Sequence, residues 1–149
     1  MTKAIYPGSF DPPTRGHLDI IMRACRIFDK VIVAVSNNPT KQHAFDVDER
    51  IQMMESALKG KSVEVDTFSG LLVDYLRKKK AKILIRGLRA VSDMDYEFQL
   101  AAMNRRLYGE VETVFLMPDE RYTYISSSMI REIARLGAST DEFERDILT

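Results

Sequence analysis

The residues able to do chemistry gather in short runs that share polar, basic and glycine-rich character. The first is Tyr6-Pro7-Gly8-Ser9-Phe10-Asp11-Pro12-Pro13-Thr14-Arg15-Gly16-His17. Gly8 allows a tight turn or close backbone approach, and the prolines stiffen the path. Gly16-His17 then places an imidazole at a helix start, where free N–H groups and the helix dipole attract phosphate. A second run, Ile85-Arg86-Gly87-Leu88-Arg89, sets two guanidiniums around a glycine, and arginine forks match phosphate oxygens. A third, Tyr122-Thr123-Tyr124-Ile125-Ser126-Ser127-Ser128, brings adjacent hydroxyls to another helix start, as cap and as anion donors. Each run has a plainer reading: a turn capped by Asp11 or Thr14 with a surface histidine, exposed arginines, and a serine cap. Their common chemistry is the binding of phosphate.

The elements that must position these runs follow from hydrophobic pattern. Short β-rich runs at Ala4–Tyr6, Val31–Val35, Val63–Thr67, Lys82–Arg86 and Thr113–Met117, most of them continuously apolar, predict strands buried on both faces. Between them, Leu18, Ile21, Met22, Cys25 and Phe28 recur at helical spacing as one apolar stripe, with Cys25 in the core. Asp46 with Glu49 predicts a capping box opening a helix that carries Ile51, Met54 and Leu58 and stops near Gly60. Further helices are expected over Leu71–Lys80, Asp93–Leu107 and Ser128–Leu136. The alternation predicts a single α/β domain over 1–149, a Rossmann-like doubly wound parallel sheet of about five strands with helices on both faces. Ligands of such sheets lie beyond the carboxyl ends of the strands. The loops 7–16, 36–45, 68–70, 86–92 and 118–127 are therefore the candidates.

Composition narrows the partners. Twenty-two basic residues balance twenty-two acidic ones, so no global field draws nucleic acid or a membrane surface. No apolar run reaches the roughly 18 residues of a membrane span, and no signal-peptide pattern opens the chain. One cysteine allows no internal disulfide. A cytoplasmic protein is expected. His43 lacks ligand-spaced partners, so no protein metal site is expected, and Lys78-Lys79-Lys80 reads as a solvated helix end. Asp93, Asp95 and Glu97 read as acids at a helix N-terminus.

Gly-Ser-Phe-Asp-Pro followed by Thr-x-Gly-His resembles the signature of nucleotidyltransferases with a His-x-Gly-His type motif. Thr14 stands where many relatives carry the first histidine, which leaves His17 as the motif imidazole. Ile125-Ser126-Ser127-Ser128 resembles the element of that superfamily that holds triphosphate oxygens. Arg-Gly-Leu-Arg-Ala-Val-Ser-Asp at 86–93 and Tyr-Glu-x-Gln-Leu-Ala-x-Met-Asn at 96–104 resemble the phosphopantetheine adenylyltransferases, with blocks in order from Ala4 to Ala134.

This resemblance implies transfer of the adenylyl group of ATP to 4'-phosphopantetheine, giving dephospho-coenzyme A and pyrophosphate, with magnesium assisting. It implies contact with ATP by Ser9, Phe10, His17, Gly87, Leu88, Arg89, Glu97 and Tyr122 through Ser128. Catalysis would fall to His17, Lys41 and Arg89. The acceptor would be held by Ser9, Lys41, Leu72, Arg86, Met103 and Asn104. Several of these have simpler readings: Lys41 a solvated loop lysine, Leu72 and Met103 core residues, Glu97 a helix-surface carboxylate. Arg131 stands where lysine is common in this branch. Relatives assemble as homohexamers, and their tails continue as a helix near the subunit surface, whereas Phe143–Thr149 is shorter than that. Two other readings remain: a nucleotidyltransferase with a different phosphate acceptor, such as nicotinamide mononucleotide or glycerol phosphate, and a non-catalytic sensor of adenine nucleotide or coenzyme A.

Overall fold

The computed structural model describes residues 1–137; the tail on which the expectation of a shortened C-terminal helix falls lies outside the described residues. Strands β1 (Lys3–Gly8), β2 (Lys30–Ser36), β3 (Val63–Phe68), β4 (Ile83–Gly87) and β5 (Glu112–Leu116) alternate with helices α1 (Arg15–Ile27), α2 (Val47–Ala57), α3 (Leu72–Lys79), α4 (Met94–Leu107) and α5 (Ser127–Arg135). All pairings are parallel, in the order β3-β2-β1-β4-β5.

Both faces of the central strands are covered, so their residues alternate between two cores rather than between core and water. Ala4, Tyr6, Val31, Val33, Val35 and Ile85 pack with Ile20, Ile21 and Ala24 of α1 and Met54 of α2. Ile5, Ile32, Ala34 and Leu84 pack with Val73, Tyr75 and Leu76 of α3. Each large aliphatic side chain so enclosed contributes about 1.5–3 kcal/mol.

Helix boundaries follow local chemistry. Asp46 caps α2 by accepting the Glu49 N–H at 2.8 Å, and Glu49 accepts the Asp46 N–H in return at 3.4 Å, the expected capping box. A 3-10 turn at Val91–Asp93 precedes α4, so the helix begins one residue later than the sequence pattern suggests. Cys25 corrects the expectation: it is exposed, and Ala24 takes the buried place beside Ile20 and Ile21. Apolar side chains at 18, 20, 21, 22, 24 and 25 fit two helical phases, and contact with the sheet selects the one that buries both isoleucines.

The strand order fixes where a ligand can enter. From β1 the chain winds outward through β2 to the edge strand β3, then returns to place β4 on the other side of β1. The loops after β1 and β4 therefore diverge and leave a crevice at their carboxyl ends.

Candidate active site

A cavity of about 360 Å³ opens at that crevice. Its floor is Pro7 and Gly8 from the end of β1 and Arg86 and Gly87 from the end of β4. Ser9, Phe10, Thr14 and His17 line it from the first loop, Ser126, Ser127, Ser128 and Arg131 from the last, and Lys41 and Arg89 line it as well. The loop 68–70 takes no part in the wall. It follows the far edge strand, two strands away from β1.

The imidazole of His17 is fixed by the first turn of α1. Thr14 is the N-cap: its hydroxyl accepts the His17 N–H at 3.3 Å, and its own N–H donates to His17 Nδ1 at 3.0 Å. A ring nitrogen that accepts carries no proton, so Nε2 bears the hydrogen of the neutral ring. The ring meets Phe10 edge-on at 4.8 Å and Tyr6 at 6.4 Å. Burial, reinforced by the nearby Arg89 guanidinium, pushes the His17 pKa down to about 4. At neutral pH this group is thus an uncharged N–H donor.

Phe10 reaches its place through a left-handed backbone, φ 47°, which a side-chain-bearing residue adopts at a cost of about 1–2 kcal/mol. Its ring then lies against Gly8, where an added Cβ would sit 3.1 Å from ring carbons. Glycine at position 8 is required by this close approach. The Asp11–Pro12 peptide that follows is cis.

Arg86 projects from the end of β4 into a paired arrangement with Glu97 of α4. Its Nε donates to one carboxylate oxygen at 2.9 Å and a terminal nitrogen to the other at 2.8 Å. Burial opposes the Arg86 charge, but bonding to Glu97 outweighs it and raises the pKa. Glu97 is therefore a buried partner, 8% exposed, and not a helix-surface carboxylate. Tyr6 lies beside this pair, and burial holds its phenol well above the usual range, hence neutral. Arg89 is held at both ends: its N–H donates to the Asp93 carboxylate at 3.3 Å and its guanidinium to the Ile125 carbonyl at 3.3 Å. Asp93 thus orders the arginine loop, a role beyond that of an acid near a helix dipole.

The third loop is sewn to the first. Ser126 caps α5 by accepting the Met129 N–H at 3.1 Å, and Ser127 donates to the Pro12 carbonyl at 2.6 Å. Arg131 donates to the Asp11 carbonyl and, at 3.3 Å, to Ser128. The first turns of α1 and α5 accordingly border the same cavity, where the positive end of each helix dipole favours an anion.

The structure brings Ser9, Phe10, His17, Lys41, Arg86, Gly87, Arg89, Glu97, Ile125, Ser126, Ser127 and Ser128 to this one cavity. It leaves others outside the wall. Leu88 donates its N–H to Leu116, extending the strand ladder. Tyr122 backs Gly16, Thr123 donates to the Glu120 carbonyl, and Tyr124 is exposed. Leu72 packs on the core beneath α3, Met103 is exposed on α4, and Asn104 is buried there. Asp11 is not the helix cap; its buried carboxylate accepts the Ala44 and Phe45 N–H groups at 2.8 and 2.9 Å. Sequence reasoning missed Arg50 altogether, although a cation in the first turn of a helix, where the dipole disfavours it, is a cue. His43, expected as an ordinary loop residue, has its Nδ1 3.5 Å from Asp11 and its Nε2 buried without a partner among the described residues.

A Rossmann-like sheet whose switch point carries a neutral imidazole donor, convergent cations and two helix N-termini defines a nucleotide-handling α/β protein of the nucleotidyltransferase class. Residues 5–133 match the cytidylyltransferase-like family. The chain is 53% identical to the phosphopantetheine adenylyltransferase of Alkaliphilus metalliredigens over 149 residues, 99% of this chain and 95% of that protein. It is 57% identical to the enzyme of that name from Dictyoglomus turgidum, over 92% of this chain and 86% of that protein. The chain belongs to the cytidylyltransferase-like family and, within it, to the phosphopantetheine adenylyltransferases. Solved structures share the fold at lower identity. A putative nicotinate-nucleotide adenylyltransferase from Vibrio parahaemolyticus superposes with TM-score 0.65 at 20% identity, over 95% of this chain and 92% of that one. A bifunctional NMN adenylyltransferase/ADP ribose pyrophosphatase from Francisella tularensis, complexed with AMP and manganese, superposes with TM-score 0.68 at 19% identity, over 99% of this chain and 44% of that one.

Proposed function

We propose that this cavity performs its family's reaction, transfer of the adenylyl group of ATP to 4'-phosphopantetheine, with the residues in the following roles. The observation that carries the reading is the convergence of His17, Lys41, Arg86 and Arg89 on one crevice between β1 and β4. An oxygen of the acceptor phosphate attacks the α-phosphorus of ATP in line. The new P–O bond forms as the bond to the bridging oxygen breaks, and pyrophosphate leaves with the electron pair. No protein nucleophile is needed; positioning and charge neutralisation suffice.

His17 Nε2–H donates to a phosphoryl oxygen, and its neutrality keeps it from binding the ground-state triphosphate as a fixed charge. Lys41 and Arg89 neutralise charge that grows toward the transition state. Ser9, the three serines and the turns beginning α1 and α5 cradle the triphosphate. Arg86, oriented by Glu97, faces the acceptor; the long pantetheine arm is assigned to Leu72, Met103 and Asn104 by the family resemblance, and none of the three lines the cavity.

Among the described residues no cluster of three or more His, Cys, Asp or Glu side chains is arranged to hold a metal. The cavity's carboxylates already have partners, Asp93 the arginine-loop amides and Glu97 Arg86. These donors suit a magnesium ion carried by the phosphate oxygens of ATP rather than by a protein cage. Bound there, it would neutralise charge on the leaving pyrophosphate.

Pyrophosphate release with ATP and each of 4'-phosphopantetheine, nicotinamide mononucleotide and glycerol phosphate tests the assignment. Release is expected with the first alone, and His17→Ala is expected to lose roughly 10²–10³-fold in kcat while remaining folded. Release with another acceptor only, or nucleotide binding with no release, would overturn it. Among the described residues no helix is long and apolar enough to cross a membrane. Phe98, Met103 and Leu107 of α4 and Leu71 expose apolar surface of the kind an assembly covers. A homohexamer is expected by light scattering, and a monomer at micromolar concentration would refute it.

A further inference from the structure

Arg50 is a buried charge that the reaction scheme leaves unused. Its side chain is fully enclosed, 0% exposed, and among the described residues it forms no direct ion pair. Every hydrogen bond it makes goes to a main-chain carbonyl: Nε to Phe45 at 3.0 Å and Asp46 at 3.3 Å, Nη1 to Ser9 at 2.7 Å and Ser36 at 2.9 Å. These carbonyls are not scattered. Ser36 ends β2, Phe45 and Asp46 end the following loop, and Ser9 lies in the loop between β1 and α1. One planar group therefore pins both ends of the 37–45 loop and ties them to the loop that leads into His17.

Asp11 closes the same junction from the other side. Its carboxylate, 2% exposed, accepts from Ala44 at 2.8 Å and Phe45 at 2.9 Å. Burial pushes the Arg50 pKa down, and the nearby Asp11 and Asp46 carboxylates oppose that shift without pairing with the guanidinium directly. Beyond these ties, Asn37 N–H donates to the Phe68 carbonyl at 2.8 Å and Lys41 N–H to the Asn38 carbonyl at 3.1 Å. Residues 37–42 are exposed and outside any helix or strand, with a local turn in which Thr40 donates to Asn38 Oδ1 at 3.1 Å. Lys41 sits in that segment, four residues before Phe45.

We infer that Arg50 and Asp11 are positioning residues that set the placement of Lys41 relative to His17 for adenylyl transfer, an inference that rests on Lys41 acting at the phosphates. The physical basis is steep: misplacing a reacting or stabilising group by ~1 Å costs up to roughly 10²-fold in rate. A guanidinium serves where an ammonium does not, because its planar fork offers donors in fixed directions to several carbonyls at once.

The test is a pair of cycles: Arg50→Lys and Asp11→Asn, each alone and combined with Lys41→Ala, with kcat, ATP Kd and thermal unfolding measured for all. Arg50→Lys keeps the charge and loses the fork; Asp11→Asn keeps one acceptor and loses the other. In folded variants kcat is expected to fall about 10- to 100-fold with ATP Kd within about threefold, and the same changes are expected to cost less than about threefold once Lys41 is gone. Equal losses in both backgrounds would overturn the inference while leaving Lys41 in its role. A fully active Lys41→Ala would remove the role of Lys41, and the positioning claim with it. Should both substitutions prevent folding, hydrogen exchange in the unaltered protein decides. Ala44 and Phe45 amides are expected to exchange at least about tenfold more slowly than the neighbouring Gln42 amide. Exchange at the Gln42 rate would show no clasp and overturn the proposal.

Discussion

Lowering the pH should expose how His17 is held. Its pKa in the folded protein lies near 4, against 6.5 for an ordinary histidine, because burial and then Arg89 disfavour the imidazolium. The unfolded chain therefore takes up this proton first as pH falls. The stability associated with a neutral His17 is fully present above about 6.5, erodes between 6.5 and 4, and is gone below. Two and a half units at about 1.36 kcal/mol each set a ceiling of about 3 kcal/mol on that loss. His17→Asn is the informative comparison, since asparagine does not titrate and its carbonyl oxygen can take the Thr14 N–H in place of Nδ1. Urea unfolding of both proteins at pH 7.5, 6, 5 and 4 cancels the titration of all other groups. The unsubstituted protein is expected to lose 2–3 kcal/mol more than the variant across that range, within the ~3 kcal/mol ceiling. Its imidazole carbon proton should titrate by NMR near 4 in the ligand-free state. Parallel stability profiles, or an NMR midpoint near 6.5, would refute the account of a buried neutral donor.

Gly8→Ala places a methyl 3.1 Å from the Phe10 ring, which already sits on a strained backbone. The variant is expected to lose about 1–2 kcal/mol in denaturant unfolding and to raise the ATP KM severalfold; unchanged values in both would refute the contact. Glu97→Gln leaves Arg86 charged, three-quarters buried and facing an amide that also donates. A stability loss of about 2–3 kcal/mol is expected, with a larger rise in acceptor KM than in ATP KM. An equal rise in the two KM values would detach Arg86 from the acceptor side.

The fold was legible because its signals are local and repeated. Each expected strand overlaps an observed one, most of them as apolar runs, and Asp46 with Glu49 announced α2 through bonds that span only three residues. The phosphate-binding character of the 7–17, 85–89 and 125–128 runs was also readable, since residue type and a nearby helix start suffice to suggest it. That Lys41 shares a cavity with them was expected from the strand-end rule and the family resemblance, since its own surroundings read only as a solvated loop.

The amino-acid sequence by itself thus determined the alternation of strand and helix, the parallel sheet, and the presence of three turns whose residue types suit an anion. Tertiary structure alone decided which helical phase of α1 faces the sheet, that Glu97 turns inward to Arg86, and that Arg50 is enclosed among four carbonyls. The physical reason is range: periodicity and capping act over three or four neighbouring residues. Burial of these charges also depends on partners 11 to 41 positions away, brought close only when the chain folds up around the sheet.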